Sequence, residues 1–319
     1  MSHLLEVRDL EVKFALRSGD ITAIDGASFT LDRGERMGLV GESGAGKSVT
    51  GFAIINLISK PGFISRGSIQ FEGNEISAYS LDRMRNIRGN RISMIFQDPM
   101  MTLNPVYTIG FQMIETLQAH QNISKAQARA VALDKLQKVY IPSPEKRLSQ
   151  YPHELSGGMR QRIIIAISLL ADPAIIIADE PTTALDVTIQ AEIMDLLQEL
   201  CERDRMGLIL ITHDLGVVSQ VTEKIAVMYA GKVIEYGPTE TVVHHPVHPY
   251  TIGLIGSIPG TIEPGKDLKQ IPGMMPTLTN IPPGCAFNPR CELAADICTK
   301  KTPVFEEKQN GIMAACHMK

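Results

Sequence analysis

Eight residues constrain this chain more than any others: Gly41-Glu42-Ser43-Gly44-Ala45-Gly46-Lys47-Ser48. They follow Arg36–Val40, a short apolar run that predicts a buried strand, and precede 49–58, whose composition predicts a helix. Strand, glycine-rich turn and helix in that order make a G-x-x-x-x-G-K-S match a phosphate-binding loop. The reason is geometric. Glycines at 41, 44 and 46 let the backbone wrap closely around a polyphosphate, so that successive N–H groups point inward. The helix that follows adds a partial positive charge aimed at the same anion. Candidate contacts are therefore Gly41, Ser43, Gly44, Ala45, Gly46, Lys47, Ser48 and Val49. Lys47 supplies a mobile cation for the terminal phosphates, and the Ser48 hydroxyl can ligate Mg²⁺.

The 319 residues leave room for one large domain with an appendage, or for two ordinary domains. Hydrophobic residues make up 44%, enough for a full core. A net charge of −4 lacks the basic footprint of a nucleic-acid binder, so no nucleic-acid partner is expected. Apolar runs stay well short of a membrane span, and the longest candidates are parted by Asp172-Pro173. The start, Met1 to Glu6, has neither the basic nor the apolar region of a signal peptide, so a cytosolic chain is expected. In that reducing compartment five cysteines argue against a disulfide framework.

Leu5–Val7 and Leu10–Phe14 alternate apolar and polar residues, as half-buried strands do, and Ala27–Leu31 reads as a third strand. Phe14 either stacks on an adenine ring or belongs to the core. Strands are also predicted over 67–71 and 91–96. Gln97, leaving the second of these, can reach Mg²⁺ or an attacking water through its amide. The cluster of Met100, Met101, Leu103, Val106 and Tyr107 suits a mixture of subdomain core and docking surface. Helices are expected over 109–120 and 124–140, the second opened by a Ser124–Gln127 capping box and ended by Pro142-Ser143-Pro144. Leu155-Ser156-Gly157-Gly158-Met159 then opens a helix through Leu170. Ser156 is its N-cap, and the start of the helix is either a second anion site or a plain cap.

Residues 174–180 form a continuous apolar run ending in Asp179-Glu180, as in a parallel strand covered on both faces. A desolvated carboxylate pair needs a partner; Mg²⁺ on Asp179 and a water polarised by Glu180 would supply one. A helix is expected over 187–201 and a strand over 208–212. His213, just past that strand, lies where open α/β sheets bind ligands. A hairpin joins 225–229 to 232–236 through Ala230-Gly231. Beyond Gly237 lie eleven of the nineteen prolines and four of the five cysteines, which suggests an appended, loop-rich region outside the sheet.

With His213 in place the set resembles the nucleotide-binding subunits of ATP-binding cassette (ABC) transporters, landmark by landmark, over roughly residues 4–240. Gly41–Ser48 is similar to Walker A and Gln97 to the Q-loop. Leu155–Met159 resembles the signature motif, with Met159 where glutamine is commonest. Asp179 and Glu180 resemble the Walker B aspartate and the catalytic glutamate, Ala184-Leu185-Asp186 the D-loop, and His213 the switch histidine. Leu155–Arg162, Ala178–Asp186, His248–Thr251 and Pro282–Cys291 narrow the resemblance to dipeptide/oligopeptide importer ATPases. It implies an α/β P-loop NTPase cassette with an antiparallel β subdomain. A helical insertion occupies about residues 98–170, and 241–319 form a C-terminal region. ATP and Mg²⁺ are the implied cofactors. A second cassette (identical or a paralogue), two permease subunits and an extracytoplasmic binding protein are the implied partners. Ser156, Gly157 and Gly158 would face the partner's nucleotide. Nickel or another small solute as cargo, and a soluble non-transport ATPase, remain alternatives.

Cys285, Cys291, Cys298 and Cys316 follow a C-x5-C-x6-C-x17-C spacing. Four clustered thiols in the cytosol suit a tetrahedral Zn²⁺ or an iron–sulfur cluster. The resemblance favours [4Fe–4S]; zinc and unligated thiols are the alternatives. Cys201, inside a predicted helix, reads as a packing residue.

Overall fold

The strands run in chain order as β1 (Leu5–Leu16), β2 (Gly19–Leu31), β3 (Arg36–Val40), β4 (Gly62–Phe71), β5 (Asn74–Glu75), β6 (Ile92–Ile95), β7 (Ile175–Asp179), β8 (Gly207–Thr212), β9 (Lys224–Tyr229), β10 (Lys232–Pro238), β11 (Glu306–Gln309) and β12 (Ile312–Ala314). The computed structural model describes residues 3–17, 19–98, 102–183, 185–258, 270–309 and 311–318. Its chain divides into two compact units, residues 1–78 with 210–319 and residues 79–209.

In the first unit, alternation writes an antiparallel sheet of order β2-β1-β4-β5. Leu5, Val7, Leu10 and Val12 of β1 are all buried. The two predicted runs 5–7 and 10–14 are one strand, interrupted by a register shift between Val7 and Leu10 where Asp9 takes φ 45°. The same unit pairs β3 in parallel with β9, Val40 opposite Val227. The predicted hairpin is present: β9 turns into β10 at Ala230 and Gly231, with φ 46° and 82°. Positive φ at both turn residues suits the twist of a two-residue hairpin.

The expectation of a tail outside the sheet is overturned. β12 pairs antiparallel with β10, Glu235 opposite Ala314, and β11 pairs with β12. The tail therefore extends the sheet. Its outer strand hid from the sequence because Glu306-Glu307-Lys308-Gln309 has no apolar alternation. The tail also shares the core of its unit, with Tyr229, Tyr250 and Phe287 each no more than 3% exposed.

In the second unit β6 lies parallel to β7, Ile92 opposite Ile175 and Ile95 opposite Ala178. All five residues of β7 are buried, as expected of a strand covered on both faces. Helices Ile109–His120, Lys125–Lys138, Gly157–Ser168 and Val187–Asp204 follow the expected order. The capping box at Ser124 and Gln127 is formed in both directions. Leu103 is buried, whereas Val106 and Tyr107 are exposed, the expected mixture; Met100 and Met101 lie outside the described residues. Among the described residues no helix is long and apolar enough to cross a membrane.

Candidate nucleotide site

The loop after β3 enters the helix Lys47–Ile54 through Gly46, which has φ 103° and no side-chain cap. A Cβ at Gly46 would lie 2.6 Å from Ile24 Cδ1 and 3.1 Å from the Ala23 oxygen, so the close approach itself requires glycine. The helix ends at Ile54 rather than at 58, because Asn56 turns left-handed with φ 51°. Lys47 is 6% exposed, and its Nζ donates to the Gly41 oxygen at 2.8 Å and the Glu42 oxygen at 3.0 Å. The Ala45 N–H donates to the Glu42 oxygen at 3.1 Å, closing the turn. Ser43 and Gly44 are exposed, while Ser48 and Val49 are half-buried. An uncapped helix start, an exposed crest and a cation folded across its own loop together fit a polyphosphate.

His213 follows β8 and is exposed. Asp214 caps the next helix, its Oδ1 accepting from the Gly216 and Val217 N–H groups at 2.8 and 3.2 Å. The Asp214 N–H in turn donates to Thr212 Oγ1 at 3.0 Å. The histidine is thus held between a strand end and a capped helix. It lines a cavity of about 200 Å³ with Leu254, Ser257 and Ile258 of the C-terminal region. Phe14 is half-buried, opposite Ile21 and Gly62 in the antiparallel sheet. A Cβ at Gly62 would meet its ring 2.7 Å away, so it packs on the sheet.

The second unit carries the carboxylates. Asp179 ends β7 at 3% exposure, and Glu180 adopts φ 44°. A non-glycine residue in that region costs on the order of 1–3 kcal/mol and is held by its surroundings. Here Gln97 Nε2 donates to Glu180 Oε2 at 2.8 Å, and Thr183 Oγ1 donates to the same oxygen at 2.9 Å. Gln97, expected at Mg²⁺ or water, thus reaches the carboxylate. Thr183 went unnoticed in the sequence; its place three residues after Glu180, in a Pro-Thr-Thr turn, was the available signal.

Ser156 caps the helix Gly157–Ser168 by accepting from the Met159 N–H at 3.3 Å. Asp186 caps Val187–Asp204, accepting from the Ile189 N–H at 2.9 Å. A cavity of about 550 Å³ brings Ser156, Gly157 and Gly158 together with Asp186 and Arg162. Ala184 lies outside the described residues.

The cysteine expectation meets a different geometry. Cys298 and Cys316 are buried, Cys285 and Cys291 partly so, and all four are free. Burial, then the neighbouring thiols Cys298, Cys291 and Cys316, push the Cys285 thiol up; burial does the same to Cys291. The four share one lobe. Yet among the described residues no group of three or more His, Cys, Asp or Glu side chains is arranged to hold a metal ion. Without a converging centre the four sulfurs do not fit a thiolate cluster as they stand. Cys201 is 1% exposed in its helix, a packing residue as expected.

The chain is similar to known proteins along most of its length. The ABC transporter family matches residues 24–183, and the oligopeptide/dipeptide transporter C-terminal region matches residues 234–298. The oligopeptide transport ATP-binding protein OppD of Salmonella typhimurium is 48% identical over 313 residues, 98% of this chain and 93% of that protein. OppD of Bacillus subtilis is 49% identical over 305 residues, covering 95% and 85%. Among solved structures, the dimeric cassette MJ0796, in a post-hydrolysis state with ADP and Pi, superposes with a TM-score of 0.66. It is 26% identical and covers 74% of this chain and 98% of that one. Agreement this deep, running through cassette and tail alike, means that the chain belongs to the ABC transporter family, among its oligopeptide/dipeptide-type ATP-binding proteins.

Proposed function

We propose that this chain is the ATP-hydrolysing, energy-coupling subunit of an importer for dipeptides or oligopeptides. The observation that carries the reading is the likeness of cassette and tail together to peptide-transport ATP-binding proteins over 98% of the chain. The site chemistry supports it. Gly41–Ser48 would grip the triphosphate, with Lys47 leaving its loop carbonyls for the terminal phosphates. Ser48, Asp179 and Gln97 have the oxygen donors that Mg²⁺ prefers, and the ion would neutralise phosphate charge. Glu180, oriented by Gln97 and Thr183, would align and deprotonate the attacking water, with His213 beside the terminal phosphate. Ser156 and Gly158 would close on ATP held by a second cassette, identical or paralogous, and Asp186 would stand at the same junction.

Two permeases would dock near Gln97–Tyr107, where Tyr107 stacks on Phe111 at 4.6 Å and both are exposed. An extracytoplasmic binding protein would deliver the cargo, leaving this subunit on the cytoplasmic membrane face. Functionally the chain divides into a cassette over residues 1–240, with its helical insertion, and a C-terminal region over 241–319. The thiols Cys285, Cys291, Cys298 and Cys316 would host [4Fe–4S], or else Zn²⁺, only after their side chains swing inward. Their C-x5-C-x6-C-x17-C spacing supports this. Iron and acid-labile sulfide analysis of anaerobically purified protein decides it, and metal-free protein removes the assignment.

The test of the main reading is Glu180→Gln. It should leave ATP binding intact and slow hydrolysis by roughly 10²–10⁴ in the assembled complex. Unchanged turnover there would refute Glu180 as the base.

A further inference from the structure

The C-terminal region touches the phosphate loop at three points within one compact unit. Tyr250 Oη accepts the Glu42 N–H at 2.9 Å. Arg290 Nη1 donates to both Glu42 carboxylate oxygens, at 3.0 and 3.1 Å. A Cβ at Gly44 would lie 3.1 Å from Met275 Cε, so this methionine rests on the loop. Arg290 is itself fixed. It is 8% exposed, its Nε donates to the Pro272 oxygen at 2.8 Å, and its guanidinium lies 5.8 Å from the Tyr229 ring centre and 5.9 Å from that of Phe287. Tyr229, Tyr250 and Phe287 pack edge to face around it, with ring centres 4.7 to 5.5 Å apart.

This grip differs from a surface ion pair. An exposed pair swings freely and holds little. Here the cation is buried, reaches both carboxylate oxygens through one nitrogen and is wedged among aromatic rings, so its carboxylate partner is held in place. Three groups of Glu42 are engaged at once: its N–H by Tyr250, its carboxylate by Arg290, and its carbonyl oxygen by Lys47 Nζ at 3.0 Å. Wherever the tail holds Glu42, it also sets the resting point of the phosphate-binding lysine.

We infer that Arg290 and Tyr250 are positioning residues for the phosphate loop, through which the C-terminal region presets Glu42 and Lys47 for nucleotide. The inference rests on the ATPase reading above. Presetting a loop lowers the ordering cost of binding and leaves the chemical step alone. The effect therefore belongs in nucleotide affinity and KM. Neither residue is assigned a contact with ATP.

The experiment measures binding of a fluorescent ATP analogue to the full chain, and kcat and KM in the assembled complex. Arg290→Gln should weaken nucleotide binding and raise KM about tenfold, with kcat held within about twofold. Tyr250→Phe, which removes one oxygen, should raise KM about threefold. Arg290→Lys keeps the charge but loses the Nε contact to Pro272, so its KM should stay about threefold raised, between Arg290→Gln and wild type. Glu42→Gln combined with Arg290→Gln should be no worse than the poorer single variant, because both remove one interaction. Should Arg290→Gln fail to fold, Tyr250→Phe and Arg290→Lys still decide. Wild-type affinity and KM in those variants overturn the inference, as does a change confined to Tm. A wild-type chain that binds no ATP would instead overturn the ATPase reading.

Discussion

Two helix starts in this chain carry glycine-rich motifs and meet their exposed amides in opposite ways. The phosphate-loop helix begins at Gly46, left-handed and without a side-chain cap. The helix Gly157–Ser168 begins at Ser156, in extended backbone, whose Oγ accepts the Met159 N–H. One end has no side-chain cap, and the other has one first-turn amide taken up by its own chain. Anion binding at the first would thus be open to the isolated subunit. At the second it is conditional, since a phosphate must compete with an existing cap. A third start, Pro249–Ile255, sharpens the contrast. Its cap is buried His248, whose Nδ1 accepts the Tyr250 N–H at 3.1 Å.

Removing the cation at the open end should break the comparison most severely. Lys47→Ala should weaken ATP binding to the full chain about ten- to a hundredfold, the worth of a charge-assisted contact to phosphate. Titration with a fluorescent nucleotide measures it; unaltered affinity would mean the loop binds through its amides alone. At the capped end, Ser156→Ala should cost about 1 kcal/mol of stability in urea unfolding while leaving nucleotide affinity of the isolated chain unchanged. A large loss of affinity there would erase the distinction between the two ends.

The smallest effect is a pH dependence at the third start. Burial pushes the His248 imidazole from 6.5 down to about 4, so the folded chain keeps it neutral. On acidification the unfolded chain takes up its proton first, and stability falls as pH drops from 6.5 toward 4. Between pH 7 and pH 6 the loss should be on the order of 0.5–1 kcal/mol. Glu235 works against it. Burial raises this carboxyl although it accepts from the Val247 and His248 N–H groups, so acid favours the folded form at that site. The measurement is therefore the difference between wild type and His248→Asn across that range, and parallel curves would reject the assignment.

These caps also indicate what a sequence can disclose. Ser124 and Ser156 were legible because a cap and its amides lie within three residues of each other. Likewise β7 was legible as an unbroken apolar run, and the phosphate loop as a local pattern of glycines. What escaped was non-local or carried by backbone. Arg290 and Glu42 lie 248 positions apart, and nothing near either residue points to the other. The left-handed Glu180 is a conformation, which residue type alone does not encode. The thiol spacing was legible, but spacing says nothing of whether four sulfurs converge.

The C-terminal hairpin has a consequence for solubility. β10 would otherwise present open backbone donors and acceptors along one side, a template on which another copy could add its own strand. Covering it with β12, then β11, moves the boundary outward to a strand written almost wholly in charge, Glu306-Glu307-Lys308-Gln309. Strands of that kind discourage self-templated stacking. A chain cut back to its catalytic cassette alone would retain the phosphate loop and lose this guard, so an abridged form would be the more prone to clump.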